Sequence, residues 1–407
     1  MDAKKRIARD DARVVIIIVC AMATFYSAMF SLVGAMNISR STPLFFISVA
    51  LFANFFFSDK SKYLKIFLGC VMLFCTWLAF HGKVEEAYYG RFDAVGDSSV
   101  DLSEYSPFKE GTKVAELDKP STLKFIKDDD LPVLDGATAL YPLYSAFAQA
   151  VYPKGDYFLW PPQDEELRHR YISPSSEVSC TTTLYAYDNL IEDGTADIIF
   201  VASPSKAQLE KAKKEDVELV FTPIGKEAFV FFVNSKNKVN SLSTEQIKKI
   251  YSKEIKNWAQ VGGYPLFIRA YQRTENSGSQ TAMINFMGET RLSNPPAQDR
   301  IRPMEGIISE TASYRNHGTA IGYSFLFFVT EMVNNNNVKL IAVDGVKPTR
   351  ENIKNGTYPY ASEFFAVTRK DNENPNVDKF IKWILSPQGQ ELVEKTGYTP
   401  IKQRYRR

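Results

Sequence analysis

The amino-acid sequence predicts an α/β protein that is preceded by three membrane-spanning helices. The first 80 residues hold three long apolar runs, whereas the remainder has the composition of a soluble protein. From Leu131 onward, short apolar segments alternate with amphipathic ones, a pattern typical of an α/β domain with a largely parallel sheet. The 407 residues are enough for at least one large core and more than one domain.

Residues 1–82 are predicted to form a membrane anchor. Val14–Met36 contains 23 residues without a charge, and about 20 are needed to cross a bilayer. Pro43–Phe57 and Ile66–Phe80 contain 15 residues each and reach spanning length only with help from their flanks. A re-entrant hairpin or a pair of buried helices is the alternative for these two shorter runs. A cleaved signal peptide does not fit, because two more apolar runs follow the first.

Positive charges orient the anchor. Eight Lys or Arg residues lie before the first run or between the second and third, and three lie on the opposite side. Cytoplasmic loops carry the excess of cations, so we expect a cytoplasmic N-terminus. Three crossings then place everything after His81 outside, as in a bacterial cytoplasmic (inner) membrane protein with an extracytoplasmic C-terminal domain. Residues 83–130 are polar and poorly periodic, and we expect a solvated stalk there.

Composition argues against several classes of function. The 49 basic and 47 acidic residues give a net charge of +2, which does not indicate a nucleic-acid partner. Only Cys180 of the 4 cysteines lies in the soluble part, so no disulfide framework is expected. The 3 histidines lack metal-ligand spacing, and no motif pairs a nucleophile with a base. We therefore predict no metal, no cofactor and no catalytic residue.

The soluble domain divides into predicted strands and helices. Ser203-Pro204 is interpreted as the N-cap and first residue of one helix, and Ser243–Gln246 as a capping box. The predicted strands are Leu131–Leu134, Asp197–Ala202 and Phe267–Tyr271. The predicted helices are Tyr141–Val151, about Leu184–Glu192, Lys206–Lys214, Ile247–Tyr251 and one that ends near Met287.

Three loops share a composition suited to anions. Asp135–Thr138, Ser179–Thr183 and Arg273–Ser279 are rich in small or hydroxyl-bearing residues, and each precedes a predicted helix. The start of a helix presents unpaired N–H groups and the positive end of its dipole. Arg273 adds a charged fork suited to tetrahedral oxyanions. A Ser or Thr before a helix is more often only a cap, so the prediction of an anion site depends on the loops meeting in space.

Several motifs occur in the order found in the phosphate-binding proteins of ABC importers, and the sequence resembles that family. Asp135–Ala139 resembles the family's first anion loop. Leu242–Gly263 resembles its helix followed by N-W-x-x-V-G-G, and Arg273–Ser279 matches its R-x-x-x-S-G-[ST] loop. Two later signatures follow at Ala320–Tyr323 and Leu385–Tyr398.

This resemblance, which covers about residues 131–402, implies a two-lobed clam-shell of the periplasmic-binding-protein type. The ligand would lie in the cleft, and hinge strands near Ala228–Asn234 and Ser362–Thr368 would join the lobes. The binding domain would span residues 131–407, with its second lobe at about 230–360. The resemblance implies ligand-binding roles for Thr138, the Ala139 N–H, Thr182, Thr183, Arg273, Ser277, the Gly278 N–H and Ser279.

One position departs from the family pattern. Phosphate specialists carry an Asp where this chain has Ala202. A carboxylate there would accept a hydrogen bond from protonated phosphate and would repel fully ionised sulfate, so its absence leaves the identity of the oxyanion open. The resemblance implies capture of a small inorganic anion, with phosphate the first candidate, for delivery to an ABC permease. The alternative is a ligand-sensing receptor that signals through a membrane partner; in either case, lipid would surround the N-terminal helices.

Overall fold

The computed structural model describes residues 100–157, 176–296, 299–301, 308, 311 and 318–401. The apolar runs predicted to span the membrane, Val14–Met36, Pro43–Phe57 and Ile66–Phe80, lie outside the described residues, as do residues 83–99 of the predicted stalk. Within the described part of the chain, no helix combines the length and the apolar character needed to cross a membrane.

Short strands and helices alternate along the described chain, as the apolar pattern predicts. The strands are β1 (Leu134–Gly136), β2 (Ile198–Val201), β3 (Leu219–Asn234), β4 (Ser241–Leu242), β5 (Arg269–Ala270), β6 (Gln272–Arg273), β7 (Arg300–Ile301), β8 (Ala320–Phe325), β9 (Val338–Leu340), β10 (Ala342–Val343), β11 (Ala361–Arg369) and β12 (Thr399–Pro400). The α-helices are α1 (Tyr141–Val151), α2 (Thr182–Asp188), α3 (Lys206–Lys214), α4 (Thr244–Tyr251), α5 (Gly278–Met287), α6 (Arg350–Lys354), α7 (Pro375–Ile384) and α8 (Pro387–Thr396).

One long strand, β3, belongs to both lobes. Its residues 219–228 pair with β11, and its residues 229–234 pair with β8 and β9. The backbone N–H of Phe229 donates to the Tyr360 carbonyl at 2.9 Å, directly before β11 begins. The chain therefore crosses between the lobes at Ala228–Phe229 and again at Tyr360–Ala361, at or beside the two segments predicted to be hinge strands.

Each lobe has its own aromatic core. In the first lobe, Phe147, Phe200 and Phe380 are fully buried, and the second lobe buries Phe231 and Tyr323 to the same extent. Burying such side chains contributes roughly 1.5–3 kcal/mol each. Separate cores allow the lobes to move as bodies, because motion at the crossing strands leaves both cores intact.

The expectation of a largely parallel sheet is wrong. The pairs β1–β2 and β5–β8 are parallel, but β11 pairs with β2 in antiparallel fashion, and the longest ladders, of β3 with β11 and with β8, are antiparallel as well. The reason is topological: β3 carries the chain into the second lobe and β11 carries it back, so these two paired strands run in opposite directions. Alternation of strands and helices does not reveal such a return strand.

The structure confirms two of the predicted helix features and contradicts a third. α1 occupies Tyr141–Val151 as predicted, and the capping box at Ser243–Gln246 is confirmed. The predicted cap of α3 is wrong: Ser205, not Ser203, is the N-cap, and it forms a capping box with Gln208. The pattern Ser-x-x-Gln satisfies two N–H groups reciprocally, which outweighs the general preference for Pro at the first helical position.

The described part of the predicted stalk, residues 100–130, differs from the solvated segment expected, because it packs on the first lobe. Tyr105, Val114 and Phe125 are buried in that lobe's core. The Phe125 N–H donates to the Val151 carbonyl at 2.8 Å, and Lys395 of α8 forms an ion pair with Asp118 of the segment. A few irregularly spaced apolar residues hold this segment, and they leave no periodic signal in the sequence.

Candidate functional site

The first of the three loops lies where β1 ends against β2. The backbone N–H of Ala137 donates to the Phe200 carbonyl at 2.9 Å. Thr138 then opens a short turn that leads into α1, and Ala139 is 4% exposed. The first N–H groups of such a turn have no partner within it, so those of Thr138 and Ala139 are suited to an anion.

A buried carboxylate fixes this loop to the second one. Asp135 Oδ1 accepts hydrogen bonds from the N–H groups of Gly136 (2.7 Å) and Thr181 (2.8 Å). Its Oδ2 accepts from Thr181 Oγ1 (2.5 Å) and Asn189 Nδ2 (2.8 Å). Burial raises the pKa of Asp135, and these four hydrogen bonds oppose that rise. Asp135 therefore ties the end of β1 to the start of α2.

The third loop begins at Arg273, which is 8% exposed. Its backbone N–H donates to Gln280 Oε1 and to the Tyr323 hydroxyl, both at 3.0 Å, and its Nη1 donates to the Ile301 carbonyl at 3.2 Å. Gly278 and Ser279 form the first turn of α5 and are buried. Their N–H groups are at the positive end of that helix, and Arg273 precedes them by five and six residues in the same loop.

The three loops meet at the boundary between the lobes. The Cys180 thiol donates to the Gly136 carbonyl at 3.7 Å, which joins the second loop to the first. A methyl group on Gly278 would lie 3.2 Å from Thr183 Oγ1, which brings the second loop against the start of α5. Ala139 of the first lobe packs into the core of the second. Arg273 and the first turns of three helical segments are thus gathered at one place.

Two predicted ligand-binding residues, Ser277 and Thr182, differ from the others in their hydrogen bonds, exposure or backbone conformation. The Ser277 hydroxyl donates to the Thr274 carbonyl at 2.9 Å and accepts from the Gln280 N–H at 3.3 Å, so it acts as the N-cap of α5. Thr182 is exposed and has a φ of 77°, a conformation that is strained for a β-branched residue. Thr183, in contrast, is 8% exposed and faces Gly278.

Several residues that position the loops have no role predicted from the sequence. Asp135, Thr181 and Asn189 position the first two loops, and Tyr323 supports Arg273. Asn276 contacts the first lobe through residues of the α3 cap. Of these, only the α3 cap had a readable signal, the Ser-x-x-Gln pattern at 205–208.

The arrangement suits reversible binding of a small anion. It offers helix N–H groups, threonine hydroxyls and one arginine, and it brings Ala202 close to Gly278. Among the residues that the structure describes, no group of three His, Cys, Asp or Glu side chains is placed to hold a metal ion. The three histidines lie outside those residues.

Comparison with known proteins identifies relatives. Residues 189–388 match the PBP superfamily domain. The phosphate-binding protein PstS of Borreliella burgdorferi is 28% identical over 203 residues, which cover 49% of this chain and 70% of that protein. Protein SphX of Synechococcus elongatus is 27% identical over 294 residues, with 67% and 84% covered. A crystal structure of a putative phosphate ABC transporter substrate-binding protein from Clostridium perfringens, with bound phosphate, has a TM-score of 0.49 and 25% identity, with 66% and 98% covered.

The matched residues include β3, Arg273, α5 and the return strand β11, so they take in the third loop and both crossings. SphX extends the similarity over two thirds of this chain. These matches identify a PBP superfamily domain at residues 189–388 and show that the chain is similar to phosphate-binding proteins.

Proposed function

We propose that this chain is a membrane-anchored, extracytoplasmic binding protein that captures a small oxyanion for an ABC importer, with phosphate as the leading candidate. Its family consists of solute-binding proteins, which are not enzymes. The observation that carries the proposal is the meeting of the three loops where the lobes face each other. An anion held there would contact both lobes and would favour the form in which they are closed.

Two features support an oxyanion as the ligand. The Arg273 backbone N–H donates to Gln280 and Tyr323, and its Nη1 donates to the Ile301 carbonyl, so both the backbone and the guanidinium are held in place. The N–H groups of Gly278 and Ser279 begin a ten-residue helix, α5, whose dipole favours negative charge. Relatives such as the Borreliella burgdorferi protein are named for phosphate binding, which makes phosphate the first ligand to test. Ala202 near Gly278 supplies no carboxylate, so sulfate belongs in the same test.

The binding test is calorimetric titration of the full chain, purified in detergent, with phosphate and with sulfate. We expect phosphate binding, and we expect Arg273→Ala to weaken it at least ~30-fold, because one lost charge-assisted hydrogen bond is worth roughly 2 kcal/mol. Arg291→Ala is the matched control, since Arg291 is exposed and lies beyond the other end of α5. Absence of binding by either anion would refute the proposal.

Location and partner are tested separately. The three apolar runs of residues 1–82 are the basis for proposing an anchor in a bacterial cytoplasmic membrane, with lipid around the N-terminal helices. Extraction of the full chain from membranes by detergent, but not by alkaline carbonate, is the expected result. Purification of the full chain together with its bound membrane partner should yield an ABC permease. Recovery of a kinase or a regulator instead would favour the ligand-sensing receptor.

A further inference from the structure

The loop that carries Arg273 also joins the two lobes through a residue that the anion site does not use. The Ser205 hydroxyl of the first lobe donates to Asn276 Oδ1 at 2.9 Å. Gln208 Nε2 donates to the Asn276 backbone carbonyl at 3.4 Å. Ser205 and Gln208 are 9% and 4% exposed, so this contact is largely withdrawn from water.

The polar groups of this contact are complementary. Within the capping box of α3, Ser205 Oγ accepts from the Gln208 N–H and Gln208 Oε1 accepts from the Ser205 N–H. The hydroxyl hydrogen of Ser205 and the amide hydrogens of Gln208 then need acceptors elsewhere. Asn276 supplies one acceptor for each. The cap of a first-lobe helix is therefore completed by a residue of the second lobe.

The backbone at Asn276 suits this contact. Its φ is 62°, in the left-handed region that Asn tolerates better than most residues. This conformation precedes Ser277, the N-cap of α5, and follows Arg273 by three residues. The segment that presents Arg273 and the Gly278 N–H to an anion is thus the same segment that docks on α3.

We propose that Asn276 is an inter-lobe latch, which docks on the capping box of α3 when the lobes close and which sets ligand affinity by stabilising the closed form. The latch rests on the proposed function, because it acts on binding of an anion between the lobes. Any stabilisation of the closed form lowers the Kd by the same factor when that form is the minor one without ligand. One neutral hydrogen-bonded contact corresponds to a change of about 3- to 10-fold.

The test is Asn276→Gly in the full chain. Glycine adopts a positive φ without strain, so this variant removes the side-chain amide while leaving the turn possible. Asn334→Gly is the matched control, because Asn334 is also left-handed, with a φ of 43°, and is exposed. Two genetically encoded spin labels at the exposed residues Lys214 and Glu289, one in each lobe, report the distance between the lobes with the native cysteines in place.

We expect Asn276→Gly to bind phosphate about 3- to 10-fold more weakly, through faster dissociation. Without ligand, we expect a smaller fraction of the short label distance that belongs to the closed lobes. The control should change neither. Equal affinity and equal distances in the wild type and Asn276→Gly would overturn the latch.

Failure of the proposed function gives a different result from failure of the latch. If the wild type binds neither phosphate nor sulfate, the proposed ligand is wrong, but the label distances without ligand still decide about Asn276. A smaller fraction of the short, closed-lobe distance in Asn276→Gly than in the wild type would then support the latch, and an equal fraction would overturn it.

Discussion

A buried carboxyl beside the lobe crossing leads to a definite pH dependence of stability. Glu227 lies on β3 next to Ala228 and is 8% exposed. Burial raises its pKa from 4.5 to about 8. That value already includes the opposing effects of the hydrogen bond from the Ala228 N–H, the nearby Phe327 N–H and the charge of Arg350, all of which lower the pKa. Glu227 is therefore largely protonated in the folded protein at neutral pH.

The sign of the effect follows from proton binding. Between pH 4.5 and about 8 the folded protein holds a proton on Glu227 that the unfolded chain has released. The stabilising contribution is fully present below pH 4.5 and is lost as the pH rises through about 8. Each pH unit in this interval is worth about 1.4 kcal/mol, so the total loss is on the order of 5 kcal/mol, of which about 4 kcal/mol falls between about pH 5 and about pH 9.

The perturbation is Glu227→Gln, which keeps an oxygen to accept from the Ala228 N–H and removes the titration. The measurement is the free energy of unfolding in urea at about pH 5 and about pH 9, for wild type and variant. Relative to the wild type, the variant should gain on the order of 4 kcal/mol as the pH rises. Glu363→Gln, at an exposed residue of β11, corrects for the change in net charge. Parallel pH curves for wild type and Glu227→Gln would refute the reasoning.

Two further substitutions test the construction of the site. Asp135→Ala leaves the four donors around its carboxylate without their acceptor, and the expected cost is about 3–5 kcal/mol in the free energy of unfolding, measured in urea. A cost below about 1 kcal/mol would contradict that role. Gly278→Ala places a methyl group 3.2 Å from Thr183 Oγ1, so it should weaken phosphate binding by hindering closure while the melting temperature stays near the wild-type value. Unchanged affinity would show that the lobes do not approach so closely when the ligand is bound.

Local sequence signals predicted the elements whose stability is local. α1 begins and ends as predicted because its apolar periodicity and the stop at Pro153 lie within one segment. The capping box at Ser243–Gln246 is equally self-contained, since both of its hydrogen bonds join residues three apart. The strand predicted at Phe267–Tyr271 shrinks to Arg269–Ala270, because pairing with β8, and not apolar character, sets its ends.

Local sequence signals did not predict strand pairing or packing between residues that are far apart in the chain. β11 reads as a buried strand whether its neighbours are parallel or antiparallel, so the direction of the sheet followed only from the route of the chain between the lobes. Residues 100–130 read as polar and aperiodic, yet Tyr105 and Phe125 find partners that come much later in the sequence. An isolated apolar side chain in a polar segment gives no periodic pattern, so its burial depends on partners that only the tertiary structure supplies.

The candidate binding site also combines features that local sequence determines with features that tertiary structure determines. The sequence by itself determined the chemical character of the loops at Asp135–Thr138, Ser179–Thr183 and Arg273–Ser279, because small and hydroxyl residues before a helix leave its N–H groups accessible. Only the tertiary structure decided that these loops meet, that Ser277 is used as a cap, and that Asn276 reaches the cap of α3. Composition and spacing describe what each segment can bind, whereas the meeting of segments far apart in the chain depends on how two separate cores pack along one shared strand.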